Sequence, residues 1–325
     1  MPPVVTAIEP SRAVEGGRVT VRGTDFPVDR LPNVTFDEVP ARVAFASPRR
    51  IVAYVPSDLE GGSTTVRVED AQGSASLAVG VPWGTGLHQV DNPVFDLAGN
   101  LYVTYSGPRG QESPVSIFRL TPEGTREPFA SGIVNATSMA MGPDGALYVS
   151  SRFEGAVYRV ATDGTFETVA SDLGVACGIA FDTDGSMFVG DRSGTVFRVR
   201  RGKPVMFATL PASVAAFHLA MAPGGDLYVA APTLGSYDHL YRINRAGEVS
   251  PMSLVFGRPQ GLAFAPDGIL HVVEALAGAS AVYRVVDDRR APEPIVSGPS
   301  LIGVAFGPSA ELVVTSNETA YRFDS

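Results

Sequence analysis

Cysteine, tryptophan and lysine each occur once in 325 residues, histidine four times, and among 25 basic residues only Lys203 is not an arginine. A single thiol, Cys177, cannot close an internal disulfide, which suits a reducing compartment. Zinc chemistry needs about three convergent His or Cys ligands, and His88, His218, His239 and His271 include no pair with His-Glu-x-x-His spacing. No run of about 18 apolar residues occurs, so no membrane span is expected. The net charge is −9 and the arginines are spread thinly along the chain, so the clustered positive charge that displaces counterions from a duplex is not apparent; nucleic acid is not an expected partner. The glycine-rich turns carry no Gly-Lys-Ser/Thr and lead into no helical pattern, which excludes a phosphate-cradling loop of that kind. The segment Met1-Pro2-Pro3-Val4 lacks a charged n-region and an apolar h-region, giving the expectation of a cytoplasmic protein, or an extracellular one if a leader has been removed.

What the sequence does contain is a repeat. Leu101-Tyr102-Val103, Leu147-Tyr148-Val149, Met187-Phe188-Val189, Leu227-Tyr228-Val229, Leu270-His271-Val272 and Leu312-Val313-Val314 recur at spacings of 46, 40, 40, 43 and 42 residues. Each is preceded by an apolar strand and a tight turn such as Asp144-Gly145 or Asp267-Gly268, and followed by a Val-Tyr-Arg-Val-like strand with Arg119, Arg159, Arg198, Arg242, Arg284 or Arg322. A period near 40 residues with several strands per period is the signature of a β-propeller. Six copies predict six blades over residues 81–325. The last copy supplies only three strands, and Val81 to Gly84 falls in the slot of an outer strand, so the front of the repeat region is expected to complete the final blade and leave no open edge. The arginines sit on the outer half of each blade and are expected to be structural, pairing with turn carboxylates or with neighbouring blades.

Residues 1–80 follow a different rule. Alternating runs at Arg18–Arg22, Val34–Phe36, Arg42–Phe45, Ile51–Val55 and Thr65–Val68, separated by Gly, Pro and Asp, predict a β-sandwich. Ile8-Glu9-Pro10, Gly16-Gly17, Val19-Thr20-Val21-Arg22-Gly23 with Phe26, and Val55-Pro56 closely resemble the IPT/TIG family of immunoglobulin-like domains. That resemblance implies a binding, spacing or dimer-forming module. The fold class expected for the whole chain is therefore all-β, an Ig-like sandwich followed by a six-bladed propeller.

In an antiparallel meander the short Gly turns share one end of the sheets, and the connections from second to third strand share the other. On that second face the loops vary in length, and Tyr105–Glu112 and Ala231–Asp238 are among the longest. Variable loops on a rigid scaffold are the default home of function. The runs Gly178-Ile179-Ala180-Phe181-Asp182 and Pro259-Gln260-Gly261-Leu262-Ala263-Phe264, with the Val-Tyr-Arg-Val elements, resemble NHL-type repeats and equally the gluconolactonase and senescence-marker superfamily. The superfamily resemblance implies a divalent cation, calcium or magnesium, held by acidic and amide side chains at the channel mouth. Asp91 matches the family's acidic position. The corresponding positions of later repeats hold Cys177, Phe217 beside His218, and Gln260, which depart from the pattern. A rearranged metal site could draw on Asn135, Asp191 or Glu274, the two acids following second strands and opening onto the same mouth, or else Asp191 and Glu274 are solvated loop carboxylates. Similarity to the streptogramin lyases places Glu274 at a catalytic position, and His218 is the best single candidate for a general base, or else a hydrogen-bonded core histidine. His271 reads as a packed strand residue.

Two functions follow. The first is a recognition protein that binds a protein, peptide or small ligand on the loop face, with Asn92, Tyr105, Asn135, Cys177 and Gln260 as contact candidates and the Ig-like domain as spacer or dimerisation module. The second is a metal-assisted hydrolase or lyase acting at the same mouth, with His218 and Glu274 catalytic and Asp91, Asp191 and Glu274 ligating the metal.

Overall fold

The computed structural model describes residues 2–215, 217–276 and 280–323, and no helix occurs among them. The N-terminal segment forms two facing sheets. One orders Val4–Glu9, Arg18–Thr24, Arg50–Tyr54 and Val43–Ser47; the other orders Ala75–Val79, Gly62–Val68, Val34–Phe36 and Val39–Ala41. Alternation explains the packing. Val19 and Val21 are fully buried with Phe36, Ile51, Val66 and Leu77, while Thr20 between them is half-buried and Arg18 and Arg22 on either side face solvent.

From residue 94 onward the chain is a succession of antiparallel meanders, each closed by short turns. Repeat 1 comprises Val94–Phe95, Leu101–Thr104, Ile117–Leu120 and Arg126–Ala130; repeat 2, Ala136–Met141, Leu147–Ser151, Ala156–Val160 and Phe166–Ala170. Repeat 3 comprises Ala176–Phe181, Met187–Asp191, Thr195–Arg200 and Lys203–Thr209; repeat 4, His218–Met221, Leu227–Ala230, Asp238–Ile243 and Val249–Phe256. Repeat 5 comprises Pro259–Phe264, Leu270–Glu274, Ala281–Val285 and Glu293–Ser297; repeat 6, Leu301–Phe306, Leu312–Ser316 and Thr319–Phe323. The outer place of that last sheet is taken by Val81–Thr85, which pairs antiparallel with Thr319–Phe323. The first strand of each repeat packs on the first strand of the next, and that of repeat 6 on that of repeat 1. Core residues are the flanking members of each Leu-Tyr-Val element: Leu101, Val103, Val149, Val189, Leu227, Val229, Val272 and Val314 are at most 2% exposed.

The two parts share hydrogen bonds and core. Arg12–Ala13 inserts in parallel between Ala75–Val79 and the outer strand of repeat 5, with Ala13 opposite Ser297, so that one sheet runs continuously across the junction. Arg18 N donates to Ser297 Oγ at 2.8 Å, Tyr321 Oη donates to Glu15 at 3.0 Å, and Val14 is buried among Val296, Leu301 and Tyr321.

Arginines of the third strands lie against carboxylates of their own sheets. Arg159 Nε is 2.7 Å from Asp144, Arg242 Nε 2.7 Å from Asp226, and Arg119 Nη2 2.6 Å from Glu127. Arg198 and Arg284 face Asp182 and Asp267, and Arg322 covers the Trp83 ring with its guanidinium 5.1 Å from the centroid.

Candidate functional site

At the loop end, the first strands of repeats 2, 3, 5 and 6 all slip out of register within their first three residues: between Ala136 and Met139, Ala176 and Ile179, Pro259 and Leu262, Leu301 and Gly303. A bulge of this kind re-aims side chains away from the ladder. Counting from the paired residues, Thr137, Cys177, Gln260 and Ile302 occupy one slot, with Asp91 and Phe217 as their equivalents in repeats 1 and 4. The next slot holds Ser138, Gly178, Gly261 and Gly303, with Asn92 and His218 as equivalents.

These slots meet in a buried polar cluster. His218 Nδ1 donates to Asp91 Oδ1 at 2.5 Å, and its Nε2 lies 3.2 Å from Gln260 Oε1. His218 is 0% exposed, Asp91 2% and Gln260 8%. Repeat 4 lies three steps round from repeat 1, so the His218 to Asp91 bond bridges non-neighbouring first strands. The segment Gln89–Asn92 makes the bridge possible: Gln89 Nε2 donates to Asp91 O at 2.7 Å, Gln89 Oε1 accepts from Thr104 N at 2.7 Å, and Asn317 Nδ2 donates to Gln89 O at 2.9 Å. Asn92 then fastens to two further sheets, donating to Leu262 O at 2.5 Å and accepting from Val304 N at 2.9 Å. This crossing explains the glycines. A Cβ on Gly261 would stand 2.1 Å from Asn92 Oδ1, and one on Gly303 2.7 Å from Asp91 O.

The remaining predicted site residues have other duties. Asn135 receives Gly110 N on its Oδ1 at 2.7 Å and donates to Ser106 O and Pro108 O at 2.6 and 2.9 Å, clamping the Tyr105–Glu112 loop. Tyr105 is half-buried, edge-on to His88 with ring centroids 5.9 Å apart. Cys177 is buried beside the axial cluster, and burial pushes its thiol up to about 11 despite the neighbouring Arg152 and Arg192. His271 packs edge-on against Phe306 at 4.9 Å.

The metal set predicted from Asp91, Asp191 and Glu274 does not come together. Asp191 accepts from Val175 N at 2.8 Å and from Ser193, organising its own turn. Glu274 accepts from Gly257 N, and Asp91 is engaged by His218. Each carboxylate is held by a different part of the structure, and no group of three or more His, Cys, Asp or Glu side chains suited to a metal ion occurs among the described residues. Nor does Glu274 join His218 as a catalytic pair: the ring nitrogens of His218 face Asp91 and Gln260.

Two features escaped the sequence reading. Gln89 is fully buried and organises the crossing segment; nothing in a Leu-His-Gln-Val context marks it as more than a loop amide. Arg152 and Arg192 sit directly after the second strands of repeats 2 and 3, the same slot in successive repeats, and that coincidence was the available signal. Both face the loop end. Burial and the Arg152 charge hold the His88 imidazole below its ordinary value, which places His88 in the same neighbourhood.

The IPT/TIG domain family matches residues 3–79. No curated protein matches the chain. Among solved structures, an auxiliary nutrient binding protein from Bacteroides ovatus is 14% identical, with a TM-score of 0.56 over 99% of this chain and 98% of that one. A gluconolactonase candidate solved by structural genomics is 18% identical, with a TM-score of 0.60 over 74% of this chain and 90% of its own. A streptogramin B lyase is 14% identical, with a TM-score of 0.52 over 99% and 93%. At these identities the likeness is one of fold: an IPT/TIG domain joined to a β-propeller-like repeat region.

Proposed function

We propose that residues 81–325 form a six-bladed propeller sealed by Val81–Thr85, carried behind an IPT/TIG-like domain at residues 1–80, and that the chain is a recognition protein binding its ligand on the loop face. The observation that carries this reading is the state of the axial cluster. The best candidate for a general base is 0% exposed, with its ring nitrogens facing Asp91 and Gln260. General acid–base catalysis needs a group within hydrogen-bond reach of the substrate. The carboxylates that would serve a metal-assisted hydrolase are each held by a different partner. What stays available to a ligand is the loop surface above, with Arg109, Arg152, Arg192, Phe153, Leu234 and Tyr237. Similarity in fold to a nutrient binding protein over nearly the whole chain is consistent with this choice.

The test is to incubate the full chain with arrays of oligosaccharides, peptides, lactones and organic acids, measuring binding and turnover on the same samples. Saturable binding without chemical change to the ligand is expected, and deleting Thr233–Tyr237 or shortening the Tyr105–Glu112 loop should alter it. A lactone or ester consumed at a rate that His218→Gln abolishes would overturn the proposal in favour of the enzyme.

A further inference from the structure

Resting on the recognition reading, one surface of the loop face specifies a ligand chemistry. Arg152 and Arg192 extend from the ends of neighbouring second strands, Leu147–Ser151 and Met187–Asp191. Their backbones are fixed. Ser151 Oγ donates to Val134 O at 2.6 Å and accepts from Glu154 N at 3.1 Å, holding the turn around Arg152, while Arg192 N donates to Val175 O and Arg192 O accepts from Ser213 N at 3.0 Å. Arg109 arrives from repeat 1 on the loop that Asn135 clamps, and the loop is seated beside Arg152: a Cβ on Gly110 would lie 2.9 Å from the ring of Phe153. Arg152 is half-buried and the other two are exposed.

None of the three guanidiniums makes an ion pair or side-chain hydrogen bond among the described residues. The nearest acid in sequence, Asp191, is turned to Val175 N and Ser193. This happens in a chain with 34 acidic residues against 25 basic ones. Burial is the main cause that holds the Arg152 guanidinium below its ordinary range; Cys177 opposes the shift, and the charges of Arg192 and Arg109, close enough to be felt, add to it. A guanidinium presents five donors in a planar fork matched to carboxylate and phosphate oxygens. Phe153, 53% exposed, adds an apolar wall next to them, and His88 a further polar group.

We propose that Arg109, Arg152 and Arg192 form an oxyanion-binding site on the loop face, which takes a small ligand bearing a phosphate or sulfate group or several carboxylates. The protein holds three like charges together, and an anion bound between them removes that repulsion and stabilises the folded state in proportion to its occupancy.

Thermal unfolding of the full chain tests this in chloride, phosphate, sulfate and citrate at matched ionic strength and low millimolar anion, with calorimetric titration of each anion alongside. The melting temperature is expected to rise with at least one oxyanion over chloride. Arg152→Gln should weaken that anion by about tenfold or more and, without anion, melt no lower than the parent, because it removes repulsion and no bond. Should Arg152→Gln fold poorly, the exposed Arg109→Gln and Arg192→Gln carry the same expectation, and Arg159→Gln on the opposite face should leave the response intact. A response to phosphate and sulfate assigns an ester ligand, and a response to citrate a polycarboxylate. Equal melting in all four salts, or variants that respond as the parent does, would sink the site. A neutral ligand bound on this face with unchanged affinity in Arg152→Gln and Arg192→Gln would remove the oxyanion assignment and leave the recognition reading standing. Turnover of a lactone would do the reverse.

Discussion

On the turn face Arg159 and Arg242 each lie 2.7 Å from a carboxylate of their own sheet, whereas on the loop face Arg109, Arg152 and Arg192 have no ionic partner among the described residues. The same side chain serves two ends of one scaffold. Where the repeat is regular, the turn aspartate and the third-strand arginine recur together, and the pair belongs to the blade. Where loop length varies, the arginines come from different repeats, meet only in the folded chain, and are left with charge to offer. A protein that retains uncompensated charge at one end while neutralising it at the other separates structure from recognition by face. The axis between them belongs to the structural side, since its histidine, aspartate and amides satisfy one another.

That division can be broken most forcefully at the axis. Asp91→Ala removes the partner of a histidine that is 0% exposed, and breaking a buried pair from one side costs about 3–5 kcal/mol. Urea unfolding should show this loss, and His218→Ala a comparable one, with the double variant well short of their sum because the two act as a unit. A variant Asp91→Ala of parental stability would mean that the carboxylate is kept for a ligand, and the axis would move to the functional side of the comparison.

Much of this arrangement was legible beforehand, for a physical reason. Period-2 alternation and Gly turns are local properties, so the repeat strands and the pairing of Arg159, Arg198, Arg242 and Arg284 with turn carboxylates could be read from spacing, whereas Arg119 takes Glu127 of the fourth strand and Arg322 the Trp83 ring. The equivalence of Asp91, Cys177, Phe217 and Gln260 was legible too, being a matter of position within the repeat. The contacts between repeats were not. Nothing in Asp91-Asn92-Pro93 says that its carboxylate reaches His218, 127 residues on, because that depends on how far the crossing segment penetrates between the first strands. The partners of Asp191 and Glu274, candidates for metal ligands or solvated loop carboxylates, were hidden for a similar reason: Val175 N and Gly257 N are backbone groups that no residue type announces, although Ser193, which also donates to Asp191, stands two residues away. Thinly spread arginine in the sequence likewise concealed a cluster built from Arg109, Arg152 and Arg192.

A second, smaller effect sharpens where the loop-face field ends. Cys177 lies within electrostatic reach of Arg152 and Arg192, which favour a thiolate, yet burial outweighs them and raises the thiol to about 11. A thiol ionising later in the folded chain than in the unfolded one contributes stability in full below the unfolded value, and loses it as pH rises towards 11. The window runs from about pH 9 to 11 and the loss reaches about 2 kcal/mol. Cys177→Ala should therefore lose less stability than the parent between pH 8.5 and 10.5, and native Cys177 should resist iodoacetamide at pH 8. Rapid alkylation there would show that the arginines act on the axis, and the two regions would be electrostatically one.

The smallest effect compares the arginines directly. Arg159 and Asp144 form an exposed pair, with side chains 35% and 38% accessible, and such pairs contribute little because solvent screens them. Arg159→Gln should lower stability slightly, and added salt should shrink the difference by screening the parent's pair. Arg152→Gln should shift stability the other way or leave it unchanged in chloride, because its guanidinium has like charges for neighbours and no carboxylate to lose. Opposite signs for one substitution at two ends of the same sheet are what a division by face requires. Equal losses at both positions, measured in the same salt series, would mean that the loop-face arginines are bound by the protein itself and have nothing left for a ligand.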